Sequence, residues 1–187
     1  MISARQADPP PRIERLLHVV QGEYHVTREP GVVLTTILGS CVATCLWDPV
    51  AAVGGMNHFL LPGDDSNHGN EVRYGVNAME LLINGLLAQG AVRGRLQAKL
   101  FGGAQVVAGL GDIGGKNAAF AQKFLATEGI PCVASSLRGE QARRVRFWPT
   151  TGRAGQLLLD SMNLEVMAAE QTRPQAAPSA AGSVELF

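Results

Sequence analysis

Apolar residues fall into short runs rich in β-branched side chains early in the chain and into helical spacings further on. Val32-Val33-Leu34-Thr35-Thr36-Ile37-Leu38, ending at Gly39, predicts a strand. Cys41 to Trp47 predicts a second. Asp48-Pro49-Val50-Ala51 then puts Asp and Pro in the first two positions of a type I turn, and Val53 to Leu60 leads away from it. These segments form a predicted β-hairpin. From Val72 to Gln89 the residues Val72, Val76, Met79, Leu82 and Leu86 recur every three or four, with Gly90 as the stop, so an amphipathic helix is expected. A second helix is expected from about Lys116 to Glu128, closed by Gly129. Leu96 to Phe101, Cys132 to Ser135 and the alternating Arg144 to Phe147 predict further strands, and His18 and His25 lie in strand-like stretches. The order implies an α+β (layered α/β) fold, a β-sheet sandwich core with two helices packed outside, and not a doubly wound nucleotide binder.

With 46% hydrophobic and 17% charged residues, the 187-residue chain is too apolar to be mainly disordered. The proline-rich start assigns 1–14 to a loose arm. Residues 15–167 form one domain, and the proline- and alanine-rich 168–187 are expected to be a disordered tail. Sixteen Lys plus Arg balance sixteen Asp plus Glu, which removes the broad positive field expected of a nucleic-acid binder. Without a leader or a long apolar run, a cytoplasmic protein that does not insert into membranes is expected. The segments around Gly102-Gly103 and Gly111 to Asn117 match no phosphate-binding pattern and read as turns and close backbone packing, so no cofactor is implied.

Three cysteines, Cys41, Cys45 and Cys132, leave at least one free thiol. A two-residue connection within 48–51 places Cys41 opposite His58 and Cys45 opposite Gly54, on one face of the hairpin. A thiol beside an imidazole is the arrangement nucleophilic catalysis requires, because the base raises the reactive fraction of a weakly ionised thiol and can lower its pKa. Chance meeting of a Cys and a His in a core hairpin is the plain alternative. A metal site built on Cys41 and Cys45 is disfavoured, because residues four apart on a strand are roughly 13 Å apart. Only a helical segment would revive it. His18, His25 and His68 have no evident partner, and Arg138, Arg143, Arg144 and Arg146 read as a solvated basic strand face.

The segments Leu38-Gly39-Ser40-Cys41-Val42-Ala43 and Gly54-Gly55-Met56-Asn57-His58-Phe59-Leu60-Leu61-Pro62 closely resemble the CheD family of bacterial chemotaxis. Arg73-Tyr74-Gly75, Gly90-Ala91, Lys99, Phe101 to Ala104, Ile113-Gly114, Asn117 and Thr151-Gly152 follow in the family's order, over about residues 20 to 155. The resemblance implies hydrolysis of selected glutamine side chains to glutamate on methyl-accepting chemotaxis receptors. It maps the family's catalytic Cys, His and Thr onto Cys41, His58 and Thr35. It implies receptor cytoplasmic domains as substrate and, for some members, a CheC-type phosphatase as partner. The loop Leu137 to Arg143 carries less glycine than the family's usual loop, and the tail is outside the family core.

On this reading Cys41 attacks the carboxamide, a thioester forms, and water returns the enzyme with His58 as proton carrier. Thr35 orients His58 through its hydroxyl or backbone oxygen. The Cys41 N–H is the first candidate for the oxyanion, with Ser40, Gly39 and Asn57 as further oxyanion or positioning candidates. A receptor methylesterase using the same pair and a non-catalytic binding module are the rivals.

Overall fold

The computed structural model describes residues 14–61, 68–105 and 111–160. The expected arm and tail lie almost wholly outside the described residues, as does the end of the expected domain. The described strands are β1 (Arg15–His18), β2 (Tyr24–Thr27), β3 (Val32–Leu38), β4 (Val42–Asp48), β5 (Val53–Phe59), β6 (Gln97–Gly102), β7 (Cys132–Leu137), β8 (Ala142–Trp148) and β9 (Arg153–Leu159). The helices are α1 (His68–Ala88) and α2 (Ile113–Thr127). A four-stranded sheet runs β1-β3-β8-β9 and a five-stranded sheet β2-β5-β4-β6-β7.

Strand alternation builds the layers. In β4, Val42 and Leu46 pack with Met79, Leu82 and Leu86 of α1 and Leu125 of α2, while Ala43, Cys45 and Trp47 pack with Leu34, Leu38 and Phe147 of the other sheet. The five-stranded sheet is therefore the middle layer, apolar on both faces. This is the expected α+β sandwich with the helices outside. Both helices begin earlier than their apolar spacing indicates. For α2 the reason is Asp112, whose Oδ1 accepts the Gly115 N–H at 2.8 Å and caps a turn that reads as glycine-rich loop. Gly114 is required here, since a Cβ would come within 2.6 Å of the Gly103 and Ala104 carbonyl oxygens, where the helix start meets the end of β6.

Two hairpin expectations are corrected. The β4–β5 register pairs Asp48 with Val53, Cys45 with Met56 and Ala43 with His58, so Cys45 does not face Gly54 and Cys41 is not directly opposite His58. The connection is longer by two residues. Asp48 Oδ1 accepts from the Val50 and Ala51 N–H groups, and Ala52 follows in the left-handed region at φ 51° before the strand resumes. A shift by two leaves every side chain on its expected face. Arg143 also departs from the expected solvated strand face. It is buried, and its guanidinium donates to the Ser136 carbonyl and hydroxyl and to Arg138 O, closing the β7–β8 turn.

Candidate functional site

Cys41 lies just before β4, half-buried, and packs on the layer between the sheets. Its carbonyl accepts the Gly103 N–H at 2.7 Å. That approach explains Gly102, whose φ of 107° and position 2.2 Å from Cys41 O, measured at a would-be Cβ, exclude other side chains. The neighbouring carbonyls are also held: Gly39 O accepts from Ala104 N–H, and Ser40 O accepts from the buried Asn117 side chain at 2.9 Å. Asn117 Oδ1 in turn accepts the Leu61 N–H at 2.8 Å, so one carboxamide ties the Cys41 segment to the chain leaving β5.

His58 is buried on the same side of the middle sheet. Cys41, two residues before Ala43, is its diagonal neighbour across the ladder, a separation of about 7–8 Å between backbones that side chains can bridge. The turn between β1 and β2 pins His58 from the other side, with Gly22 N–H donating to His58 O and His58 N–H to Glu23 O. The same turn carries Gln21, whose carboxamide oxygen accepts from the Cys41 thiol at 3.5 Å.

The ring of His58 is held at one nitrogen only. Nδ1 lies 2.9 Å from Thr36 Oγ1 and 3.3 Å from Val19 O, and Thr36 Oγ1 donates to Val19 O at 2.7 Å. Nε2 is buried without a hydrogen-bond partner among the described residues. Burial pushes the His58 pKa down, with the Val19 carbonyl pulling weakly the other way. Burial pushes the Cys41 thiol up, its own backbone N–H opposing. Both groups therefore rest neutral near pH 7, and the expected lowering of the Cys41 pKa is not found: loss of hydration outweighs the backbone N–H.

The other candidates separate by strand face. Thr35 points away from His58 and gives its hydroxyl to Val145 O at 2.8 Å; only its backbone oxygen approaches the site, accepting the Val19 N–H at 2.9 Å. Asn57 faces the helices, accepting from Thr44 N–H and donating to Ala78 O, so it holds α1 to the sheet on the face opposite Cys41 and His58. Cys45 is fully buried between the sheets, with its thiol pKa raised by burial, and Cys132 is exposed on the edge strand β7. His18 and His25 are exposed on β1 and β2, and the side chain of His68 lies outside the described ones.

Sequence reasoning overlooked Gln21, Thr36 and Val19 as neighbours of the pair, and gave Asn117 no role. Alternation was the available signal for Thr36, because Leu34, Thr36 and Leu38 must share the face turned to the other sheet.

Residues 60–156 match the family model described as CheD chemotactic sensory transduction. The chain is 57% identical over 182 residues to a protein of Acidiphilium cryptum, covering 95% of this chain and 96% of that one. It is 52% identical over 189 residues to a protein of Caulobacter vibrioides, covering all of both chains. Both relatives carry the name probable chemoreceptor glutamine deamidase CheD. Among solved structures, a Neisseria meningitidis protein overlaps 67% of this chain and 64% of its own at 10% identity with a TM-score of 0.45, a likeness that bears on neither fold nor activity.

Proposed function

Because the chain belongs to the CheD family, we propose that it is a chemoreceptor glutamine deamidase in which Cys41 is the nucleophile and His58 its proton carrier. The observation that carries the residue assignment is the buried, unpartnered Nε2 of His58 on the same layer as the half-buried Cys41 thiol. An idle nitrogen in a buried site costs stability, and a reacting group explains why it stands there.

The chemistry follows from two neutral partners. As Sγ approaches the substrate carboxamide carbon, its proton passes to His58 Nε2, and the C–S bond forms while the carbonyl becomes an oxyanion. The Cys41 N–H, which lies against its own sulfur, is the donor assigned to that oxygen. His58 returns the proton to the nitrogen, the C–N bond breaks, and ammonia leaves a thioester. Water then gives a proton to Nε2 and attacks the same carbon. The C–S bond breaks, the sulfur takes the proton back, and glutamate remains. The Gln21 carboxamide oxygen, 3.5 Å from the Cys41 sulfur, is in keeping with a primary carboxamide as substrate.

Action on receptor cytoplasmic domains, and hence a cytoplasmic location, belongs to the same proposal. Among the described residues no helix is long and apolar enough to cross a membrane. A CheC-type phosphatase as second partner rests on the resemblance alone, and a pull-down with the purified pair tests it. Peptide mass spectrometry of a cognate receptor cytoplasmic domain, incubated with wild type or Cys41→Ala, tests the reaction. Glutamine converted to glutamate with ammonia released, by wild type only, is expected. Loss of methyl groups from glutamyl esters without deamidation would favour a methylesterase, and an unchanged receptor would favour a binding module.

A further inference from the structure

The three contacts around His58 Nδ1 determine where its proton sits. Val19 O is a carbonyl oxygen and can only accept, yet it lies within reach of both Thr36 Oγ1, at 2.7 Å, and His58 Nδ1, at 3.3 Å. A hydroxyl has a single proton, and the short contact with the carbonyl takes it. Thr36 Oγ1 therefore meets Nδ1, 2.9 Å away, as an acceptor. Both neighbours of Nδ1 call for a hydrogen on that nitrogen. A neutral imidazole has one, so Nε2 holds the lone pair, and Nε2 is the atom buried with no partner.

We propose that the Thr36 hydroxyl, braced by the Val19 carbonyl, is a positioning group that fixes His58 in the Nδ1–H tautomer and keeps the Nε2 lone pair free for the Cys41 thiol. This rests on the reading of Cys41 and His58 as the reacting pair. The brace is itself anchored on β3, since Val19 N–H donates to Thr35 O at 2.9 Å. Adjacent threonines thus divide the work: Thr35 holds Val19 through its backbone, and Thr36 meets the imidazole through its side chain. The Thr35 hydroxyl is committed to Val145 O on the neighbouring strand. Titratable or charged side chains on the segments around His58 are Cys41, Cys45 and, at the far end, Asp48 on the β4 side, Glu23, Tyr24 and His25 on the β2 side, and Arg15 and His18 on β1. No carboxylate replaces the hydroxyl at Nδ1 among the described contacts.

Nitrogen NMR of the full-length wild type with labelled histidine, above the ordinary histidine pKa, reads the tautomer without any turnover. A protonated Nδ1 and a bare Nε2 are expected for His58. Thr36→Val, checked for an unchanged thermal midpoint, removes one acceptor from Nδ1. It should mix the tautomers, lower kcat on the order of tenfold or more with KM unchanged, and move the acid limb of the pH profile to lower pH. The limb moves down because the imidazolium loses an acceptor that stabilises it. Thr36→Ser should restore all of these. A wild-type proton on Nε2, or a Thr36→Val enzyme with wild-type kcat and acid limb, would overturn the proposal. Deamidation surviving in Cys41→Ala would instead remove the reading of the reacting pair, while the NMR result still answers for Thr36.

Discussion

Asp48 and His58 stand at opposite ends of the β4–β5 hairpin, both buried and both ionisable, and their surroundings differ. Burial opposes ionisation of Asp48, yet the Arg95 guanidinium and the N–H groups of Val92, Ala51 and Val50 hold its carboxyl well below the usual carboxylate range. Both carboxylate oxygens are used: Oδ1 by Val50, Ala51 and Arg95, and Oδ2 by Val92 and Arg95. His58 has one nitrogen satisfied and the other idle, and burial keeps its ring neutral. A buried polar group with every bond made fixes the turn and ties it to the segment after α1. One left with a free lone pair is held ready to take a proton.

The largest effect that separates the two ends is loss of the chemistry. Cys41→Ala and His58→Ala should each reduce receptor deamidation by at least about a thousandfold, and the double variant should be little slower than either. A thermal midpoint near that of wild type is expected for Cys41→Ala, whose side chain is only half-buried. Mass-spectrometric rates beside calorimetric midpoints check both statements.

Asp48→Ala should do the reverse. It strips partners from Arg95 and from three backbone N–H groups, at a cost on the order of 3 kcal/mol read by denaturant titration, with kcat of the folded fraction kept. A variant of full stability, or one folded but inactive, would erase the distinction between the ends.

Smaller effects come from pH. The folded pKa of His58 is depressed, so the unfolded chain binds its proton first, and stability falls as pH drops below the ordinary histidine value of about 6.5. The folded pKa of Asp48 is also depressed, so its share of stability is intact above about 3.9 and is lost only below that. Denaturant midpoints against pH should show two separate steps, with His58→Ala removing the upper and Asp48→Asn the lower. Activity should persist below pH 6.5, because neutral His58 is the working form.

How much of this was legible follows the parity of the strands. The hairpin lengthened by two residues at the left-handed Ala52, an even shift, so Cys41 and His58 kept a common face although the direct pairing was wrong. The threonine mapping met an odd step. Thr35 and Thr36 differ by one residue and therefore by a face, and only the packed sheets show which hydroxyl meets the imidazole. Asn57 sits next to His58 in sequence and on the opposite side of the sheet for the same reason. Glycine around α2 concealed a helix start that Asp112 marks. The edge strand β9, with Gly155 and exposed leucines, lacks the β-branched alternation that reveals β3. The raised Cys41 pKa depends on how much water reaches the sulfur, a property of the assembled layers and not of residue spacing.

The central claim is that the open end of the hairpin works through a thioester on Cys41. The most direct measurement is how the product partitions when a receptor glutamine is turned over in the presence of hydroxylamine, which intercepts thioesters and yields a hydroxamate at the modified side chain. The wild type should give hydroxamate in proportion to hydroxylamine beside glutamate, and Cys41→Ala should give neither. Glutamate as the sole product at every hydroxylamine concentration, or hydroxamate formed by Cys41→Ala, would contradict attack by this thiol.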